Sequence, residues 1–172
     1  IDVYLGPTRF LDSHTIETGD DTLTGRRFLI ATGARPSVPP ISGIDDVDSL
    51  TYETLRDLEE LPRSFIVIGG GPIGCEMAQA FCRLGSHVTL LEAGPRILPQ
   101  DEPEASDLTA SCLITDGVDL RLGAMVQRVW QNGDTIHVGI EGQELEGDAL
   151  LVAAGRRPSL EDLQLDNAGV VY

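Results

Sequence analysis

Three glycines and one carboxylate have the residue types and spacing of a phosphate-binding turn: Gly69, Gly71, Gly74 and Glu92. The glycines follow the pattern G-x-G-x-x-G. In such a turn the first glycine permits a tight bend, the second lets the backbone approach a pyrophosphate, and the third lets a helix pack closely on a strand. Glu92 stands where a carboxylate can accept hydrogen bonds from ribose hydroxyls. The pattern predicts a dinucleotide site.

This turn requires a strand before it, a helix after it and a second strand that ends at the carboxylate. Residues 65–68 are apolar without alternation, as in a strand buried on both faces of a parallel sheet. From Ile73 the apolar residues recur at helical spacing until Gly85, the residue type expected just past a helix end. Residues 87–91 indicate the next strand. The alternative is a β-α-β unit in which the glycines serve packing alone.

The chain after Glu92 predicts one more helix and then mostly strands. Asn132-Gly133 between two strand-like runs is a strong hairpin signal. The predicted elements are a helix over 102–115, a parallel strand over 118–122, meander strands over 125–131, 135–140 and 143–146, and a core strand over 148–153. The fold class is therefore α/β: a Rossmann-like three-layer domain whose parallel sheet is interrupted by an antiparallel β-meander crossover.

The chain before the glycine turn gives weaker signals. Short strands are predicted over 2–5, 9–11, 15–17 and 26–30. The prolines of residues 34–48 indicate an extended linker, because proline fixes its own φ and restricts the residue before it. Residues 51–60 are expected to form a short helix capped by Thr51 or Ser49.

Composition restricts the class of partner and the compartment. The 172 residues carry a formal net charge of −16, which disfavours nucleic acid and anionic membrane surfaces. No apolar run is long enough to span a bilayer. Cys75, Cys82 and Cys112 are expected to be buried packing residues, because three irregularly spaced cysteines make no disulfide framework. We expect a reduced, cytoplasmic protein, and we predict no catalytic or metal-binding residue.

Several motifs occur in the order found in one enzyme family. They are residues 31–36 (ATGARP), 69–76 (GGGPIGCE), 83–86 (RLGS), 117–118 (GV) and 155–158 (GRRP). In this order they resemble the FAD-dependent pyridine nucleotide-disulfide oxidoreductases. Residues 96–104 (RILPQDEPE) resemble the branch that holds dihydrolipoamide dehydrogenase and mercuric reductase-like proteins. The resemblance covers nearly the whole chain.

The resemblance implies a domain assignment and a set of cofactor contacts. Residues 61–153 would be the NAD(P)-binding domain, residues 1–37 and 154–172 would be segments of the FAD domain, and residues 38–60 would be a linker with a short helix. The resemblance places Gly69, Gly71, Pro72, Ile73 and Gly74 at the pyrophosphate of NAD. It places Glu92 at the adenine ribose and Val126 at the adenine. It places Glu76 near the nicotinamide carboxamide and Gly155 at the nicotinamide half. Near the flavin nucleotide it places Thr32 and Gly33.

The resemblance also implies a longer parent enzyme. The glycine motif for FAD, the redox-active cysteine pair and the dimerisation domain do not occur in this sequence. We therefore expect an excised middle part of a homodimeric NAD(P)H- and FAD-dependent oxidoreductase, inactive in isolation. Alternatives are a non-catalytic nucleotide-binding or interaction scaffold, and part of a flavoprotein reductase that acts on a non-disulfide acceptor.

Glu92 favours NAD over NADP as the bound dinucleotide. A 2′-phosphate beside this carboxylate would meet a repulsion of about 4 kcal/mol per charge pair at about 4 Å. Arg96 follows four residues later and could offset that charge. A salt bridge to Asp101 or Glu102 is the expected role of Arg96.

Overall fold

The chain forms thirteen β-strands and two α-helices. The computed structural model describes residues 1–172. The strands are β1 (Thr8–Asp12), β2 (Thr15–Thr18), β3 (Asp21–Thr24), β4 (Ala34–Pro36), β5 (Ser49–Leu50), β6 (Ser64–Ile68), β7 (His87–Glu92), β8 (Asp119–Leu122), β9 (Val126–Asn132), β10 (Thr135–Ile140), β11 (Gln143–Gly147), β12 (Ala149–Val152) and β13 (Arg156–Pro158). The helices are α1 (Pro72–Leu84) and α2 (Pro103–Asp116). No helix is both long enough and apolar enough to cross a membrane.

The chain divides into two compact units. One comprises Ile1–Arg35 with Arg156–Tyr172, and the other comprises Pro36–Gly155. A five-stranded parallel sheet with the strand order β5-β12-β6-β7-β8 forms the centre of the second unit. Phe65 of β6 lies opposite Val88 on one side and Ala149 on the other. The sheet confirms the predicted parallel arrangement.

Two apolar clusters cover the two faces of this sheet. On one face Phe65 and Val67 pack with Ala78 of α1 and Leu113 of α2. On the other face Ile66 and Ile68 pack with residues of the antiparallel meander β9-β10-β11, among them Val129, Ile136 and Val138. Consecutive side chains of β6 point to opposite faces, so both faces of this strand are buried. The second unit therefore has three layers, as predicted, and the meander lies between β8 and β12 in the chain.

Both helices begin at a proline and end at a glycine. Pro72 and Pro103 occupy the first helical turn, where a missing N–H costs nothing. Gly85 and Gly117 follow the helices with φ of 113° and 103°, a left-handed conformation that glycine adopts without a Cβ clash. The backbone N–H of Gly85 donates to the Cys82 carbonyl and thereby ends α1 cleanly.

The first unit holds a small antiparallel sheet of β1, β2 and β3. Phe10 of β1 packs with Leu163 and Leu165 from the C-terminal segment. The Asn167 side chain donates to the Phe10 carbonyl at 2.8 Å and fixes that segment to the strand. The short strands β4 and β13 pair with each other in a separate two-stranded sheet.

Residues 2–5 and 26–30 differ from prediction, because neither segment forms a strand. A strand is stable only when a neighbouring strand satisfies its backbone groups, and neither segment is part of any sheet. Leu5 and Leu29 are 88% and 92% exposed. The apolar composition that predicted strands here is therefore not matched by burial within this chain.

The segment 38–60 also differs from prediction. It contains the edge strand β5, a 3-10 turn at Ile44–Asp46 and, in place of the short α-helix predicted over 51–60, a second 3-10 turn at Leu55–Asp57. The backbone N–H of Thr51 donates to the Thr54 hydroxyl at 2.9 Å, and such side-chain bonds compete with helix formation. Ile44 is buried against the meander side of the sheet, so the predicted linker contributes to the core of the second unit.

The three cysteines have different environments and form no disulfide. Cys75 is buried and Cys82 is half-buried, in line with packing roles. Cys112 is exposed, so the prediction of a buried residue was wrong for this position. Position 112 lies on the outer side of α2, whose apolar residues do not follow one face strictly: Leu108 and Ile114 are exposed as well.

Candidate functional site

The loops that follow β6, β7, β8 and β12 meet at the carboxyl edge of the parallel sheet. The backbone N–H of Gly69 donates to the Leu91 carbonyl at 2.8 Å, and that of Ala153 donates to the Ile68 carbonyl at 2.8 Å. The backbone N–H of Ala124 donates to the backbone carbonyl of Glu92 at 2.9 Å. Because β7 lies on one side of β6 and β12 lies on the other, the strand order reverses here. Open α/β sheets bind ligands in the crevice at such a point.

Gly69 and Gly74 are required by the packing of the turn itself. Gly69 has a φ of +109°, and a Cβ on it would lie 2.6 Å from the Ala153 carbonyl oxygen. A Cβ on Gly74 would lie 1.8 Å from the carbonyl oxygen of Gly69. Real Cβ atoms do not approach backbone so closely, so the helix could not sit on the strand with a larger residue at either position.

Gly71 differs from both. A Cβ on Gly71 would meet no heavy atom within 4 Å, and its φ of −75° and ψ of −178° suit any residue. Neither packing nor backbone conformation within the chain therefore requires glycine here. The open space beside Gly71 is a cradle that a side chain would fill, as expected where a ligand approaches the backbone.

The N-terminus of α1 faces this cradle with free donors. Gly71 is the N-cap residue, and no side chain caps the helix. The N–H groups of the first turn, including those of Ile73 and Gly74, have no acceptor within the helix, whereas Pro72 has no N–H. These donors and the positive end of the helix dipole favour an anion. The arrangement fits the pyrophosphate of a dinucleotide.

Glu92 is held in place by two backbone N–H groups. Its Oε2 accepts from Gly70 at 2.6 Å, and its Oε1 accepts from Gly94 at 2.6 Å. A carboxylate has about four acceptor positions, so each oxygen can still accept one ribose hydroxyl. Gly70 also leaves room for the carboxylate, since a Cβ there would lie 2.9 Å from Glu92 Oε2. The roles of Gly70 and Gly94 were not predicted, although a glycine two residues after the carboxylate is a usable signal.

Arg96 makes different contacts from those expected. Its guanidinium donates to the backbone carbonyls of Pro99 at 2.8 Å and Asp101 at 3.0 Å. Neither the Asp101 nor the Glu102 carboxylate forms a salt bridge with it. Arg96 therefore stabilises its own loop, and the Leu98 N–H in that loop donates to the Gly70 carbonyl at 2.7 Å.

Glu76, Val126 and Gly155 lie around the same unit with different degrees of exposure. Glu76 is exposed on the first part of α1. Val126 is half-buried and packs against the meander-side cluster, so part of its surface serves the core. Gly155 has a φ of +144°, and its carbonyl accepts from the Ser37 N–H at 3.0 Å. Their contact with a cofactor stays a prediction.

Thr32 and Gly33 belong to the first unit. The Thr32 hydroxyl donates to the Ser159 carbonyl at 2.7 Å, and the Ser159 N–H donates to the Gly33 carbonyl at 3.0 Å. Gly33 has a φ of +74°, with open space where a Cβ would point. These bonds fix the loop that carries both residues, whose role at a flavin nucleotide also stays a prediction.

Cys75 lies beneath the glycine turn as an inert thiol. Burial raises its pKa to about 11, and the carboxylates of Glu92 and Glu76 add to the shift. Its Sγ lies 3.4 Å from the Gly70 carbonyl oxygen, to which the thiol donates. A thiol that stays protonated is a poor nucleophile, so Cys75 contributes packing and a weak hydrogen bond to the turn.

Comparisons with known proteins cover the chain end to end. The family model described as pyridine nucleotide-disulphide oxidoreductase matches residues 1–172. A mercuric reductase of Lysinibacillus sphaericus is 42% identical over 173 residues, which are 98% of this chain and 32% of that protein. A dihydrolipoyl dehydrogenase of Thermus scotoductus is 37% identical over 179 residues, 99% of this chain and 38% of that protein.

A solved structure shows the same fold. The HOCl-induced flavoprotein disulfide reductase RclA from Escherichia coli superimposes with a TM-score of 0.87 at 37% identity, over 99% of this chain and 40% of that one. The chain thus spans 32% to 40% of the length of these three proteins.

Proposed function

The chain belongs to the pyridine nucleotide-disulphide oxidoreductase family, and we propose that residues 61–153 bind NAD(H) for a flavin-dependent oxidoreductase. The family is FAD- and NAD(P)-dependent. The observation that carries the proposal is the open space at Gly71, beside the uncapped N-terminus of α1. Gly69 and Gly74 are explained by packing, whereas the glycine at 71 is explained by a ligand.

The proposed site extends the cradle in two directions. Glu92 accepts hydrogen bonds from the adenine ribose, with Val126 lining the adenine. In the opposite direction, Glu76 and Gly155 orient the nicotinamide half. The bound dinucleotide supplies hydride chemistry, and this chain supplies binding and orientation.

The remaining proposals concern the complete protein. Thr32 and Gly33 contact the flavin nucleotide, residues 1–37 and 154–172 serve the FAD domain, and the protein is a homodimer. The relatives carry different acceptors in their names, so the proposal is limited to the nicotinamide half-reaction.

NAD is proposed as the preferred dinucleotide because of the charge beside the ribose. The Glu92 carboxylate is fixed by Gly70 and Gly94, so it cannot swing away from a 2′-phosphate without breaking two hydrogen bonds. The guanidinium of Arg96 is engaged with the carbonyls of Pro99 and Asp101. A 2′-phosphate would therefore meet a like charge, at a cost of about 4 kcal/mol before relaxation.

Titration of the purified chain with NADH and NADPH tests both parts of the proposal. We expect saturable binding of NADH by calorimetry, with NADPH binding at least about tenfold more weakly, equivalent to about 1.4 kcal/mol. Glu92→Gln should reduce the preference for NADH over NADPH. The control Glu104→Gln, which removes an exposed carboxylate on α2, should leave that preference unchanged. Folding of each variant is checked by circular dichroism. Equal affinities of the folded chain for both dinucleotides would refute the role of Glu92 in selecting NAD. Absence of binding would favour the alternative in which the glycines of the turn serve packing alone.

A further inference from the structure

Three side chains with metal-ligating atoms converge on the meander of the second unit. They are His137 of β10 and Glu144 and Glu146 of β11, and their ligand atoms all lie within 4.8 Å of one another. The two strands pair so that His137 lies opposite Glu146. Ile136 and Val138 are buried in the core, and alternate residues of a strand point to opposite faces. The cluster therefore lies on the face turned away from the parallel sheet.

The imidazole of His137 is held in one orientation. Its ring stacks on Trp130 with the centroids 5.0 Å apart and the planes at 5°, and the side chain is only 13% exposed. The Arg128 guanidinium lies 4.4 Å from the centroid of the same tryptophan. Gly139 leaves room for Arg128, because a Cβ there would lie 3.0 Å from Arg128 Cγ. A ligand whose ring is already fixed loses little entropy on binding a metal ion.

A hydrogen bond between His137 and one carboxylate explains only part of the cluster. Glu144 Oε1 lies 3.0 Å from His137 Nδ1, a hydrogen-bond distance. Glu146 Oε1 lies 3.8 Å from the same nitrogen, which is beyond hydrogen-bond range. The second carboxylate brings another negative charge to this point without bonding the imidazole. A cation between the three atoms would offset that repulsion.

The donor set and its spacing suit a transition-metal ion. In tetrahedral coordination, ligand bonds of about 2.0 to 2.2 Å to a common metal separate neighbouring donors by about 3.3 to 3.6 Å. The distances from His137 Nδ1, 3.0 and 3.8 Å, are close to this range, and both glutamates are exposed and can rotate. Imidazole suits Zn²⁺, Ni²⁺ and Cu²⁺, whereas a soft metal prefers thiolates. We propose that His137, Glu144 and Glu146 form a binding site for a divalent first-row transition-metal ion such as Zn²⁺.

Zn²⁺ titration of the full chain by calorimetry tests the proposed site. A Cys112→Ser background removes the exposed thiol, a competing ligand. We expect one Zn²⁺ per chain, with His137→Gln and Glu146→Gln each raising Kd by about tenfold or more, equivalent to about 1.4 kcal/mol. His87→Gln, which removes an exposed histidine on β7, is the matched control and should leave Kd unchanged.

Ni²⁺ provides a second readout, because Trp130 is the only tryptophan and stacks on His137. Ni²⁺ at this site should quench tryptophan fluorescence with the stoichiometry seen for Zn²⁺, and His137→Gln should abolish the quenching. Glu146→Gln alters an exposed side chain, so its folding is not at risk. Absence of saturable Zn²⁺ binding, or an unchanged Kd in His137→Gln or Glu146→Gln, would overturn the three-ligand site.

Discussion

Alanine substitutions at Gly74 and Gly71 separate the folding role of the glycine turn from its binding role. At Gly74 the new Cβ would lie 1.8 Å from the Gly69 carbonyl oxygen, against a lower limit of about 3.0 Å for real contacts. The start of α1 must therefore move by about 1.2 Å. Because the opposing atom is backbone, no rotamer change relieves the clash. Overpacking costs about 1 to 3 kcal/mol, and we expect Gly74→Ala to cost about 3 kcal/mol or more.

Gly71→Ala should behave in the opposite way. The new Cβ enters open space, and the backbone conformation of Gly71 suits alanine. The free energy of unfolding should change by less than about 0.5 kcal/mol. The same methyl group would occupy the proposed approach of the pyrophosphate, where an overpacking cost of about 1 to 3 kcal/mol corresponds to an increase of about 5- to 150-fold in Kd for NADH.

Urea denaturation followed by Trp130 fluorescence measures the stability of the second unit, and calorimetric NADH titration measures binding. The predicted pattern is a large loss of stability in Gly74→Ala and a selective loss of binding in Gly71→Ala. Wild-type affinity for NADH in a stable Gly71→Ala variant would refute the assignment of the open space to the pyrophosphate. Wild-type stability in Gly74→Ala would refute the packing argument.

Two further predictions concern the helices. Burial raises the Cys75 pKa from 9.0 to about 11, so the unfolded chain loses the thiol proton at a lower pH than the folded chain. The free energy of unfolding that this protonated thiol contributes should be fully present below about pH 9. It should be lost as the pH rises through about 11. In the native chain Cys75 should react with Ellman's reagent only after denaturation, whereas exposed Cys112 should react at once. A fast reaction that persists in the double variant Cys82→Ser, Cys112→Ser would contradict this. Asp116 accepts from Gln79 at 2.6 Å and from Arg83 at 2.9 Å, so Asp116→Ala should lower the free energy of unfolding by about 1 to 2 kcal/mol in urea. The control Asp107→Ala, at an exposed position of α2, should change it by less than about 0.5 kcal/mol.

The elements around the glycine turn were predictable because their signals are local. The unbroken apolar run of β6, the glycines that end α1 and α2, and the Asn132-Gly133 hairpin each depend on neighbouring residues alone. Strand β5 could not be predicted in this way. It comprises only Ser49 and Leu50 and is defined by its pairing with β12, far along the chain.

In the site, too, some features depend on local sequence and others on contacts between distant parts of the chain. The glycine spacing and Glu92 could be read from the sequence, whereas the two hydrogen bonds that fix the carboxylate depend on how the loops after β6 and β7 fold together. The strand predictions over 2–5 and 26–30 were wrong because local composition does not determine whether a strand finds a partner. Their apolar composition is local, but strand formation depends on a partner that this chain does not provide.

The position of β12 has a consequence for how the protein folds during synthesis. Phe65 of β6 pairs with Ala149 of β12, so one side of the central strand cannot be completed until the ribosome has made the whole meander. At about 5 to 20 residues per second, this leaves β6 without its β12 partner for roughly 4 to 17 seconds. During that time a strand with Phe65, Ile66 and Val67 exposes an apolar edge to other nascent chains. During co-translational folding the early pairing with β7 therefore protects one edge of β6, and the other edge stays open until β12 emerges.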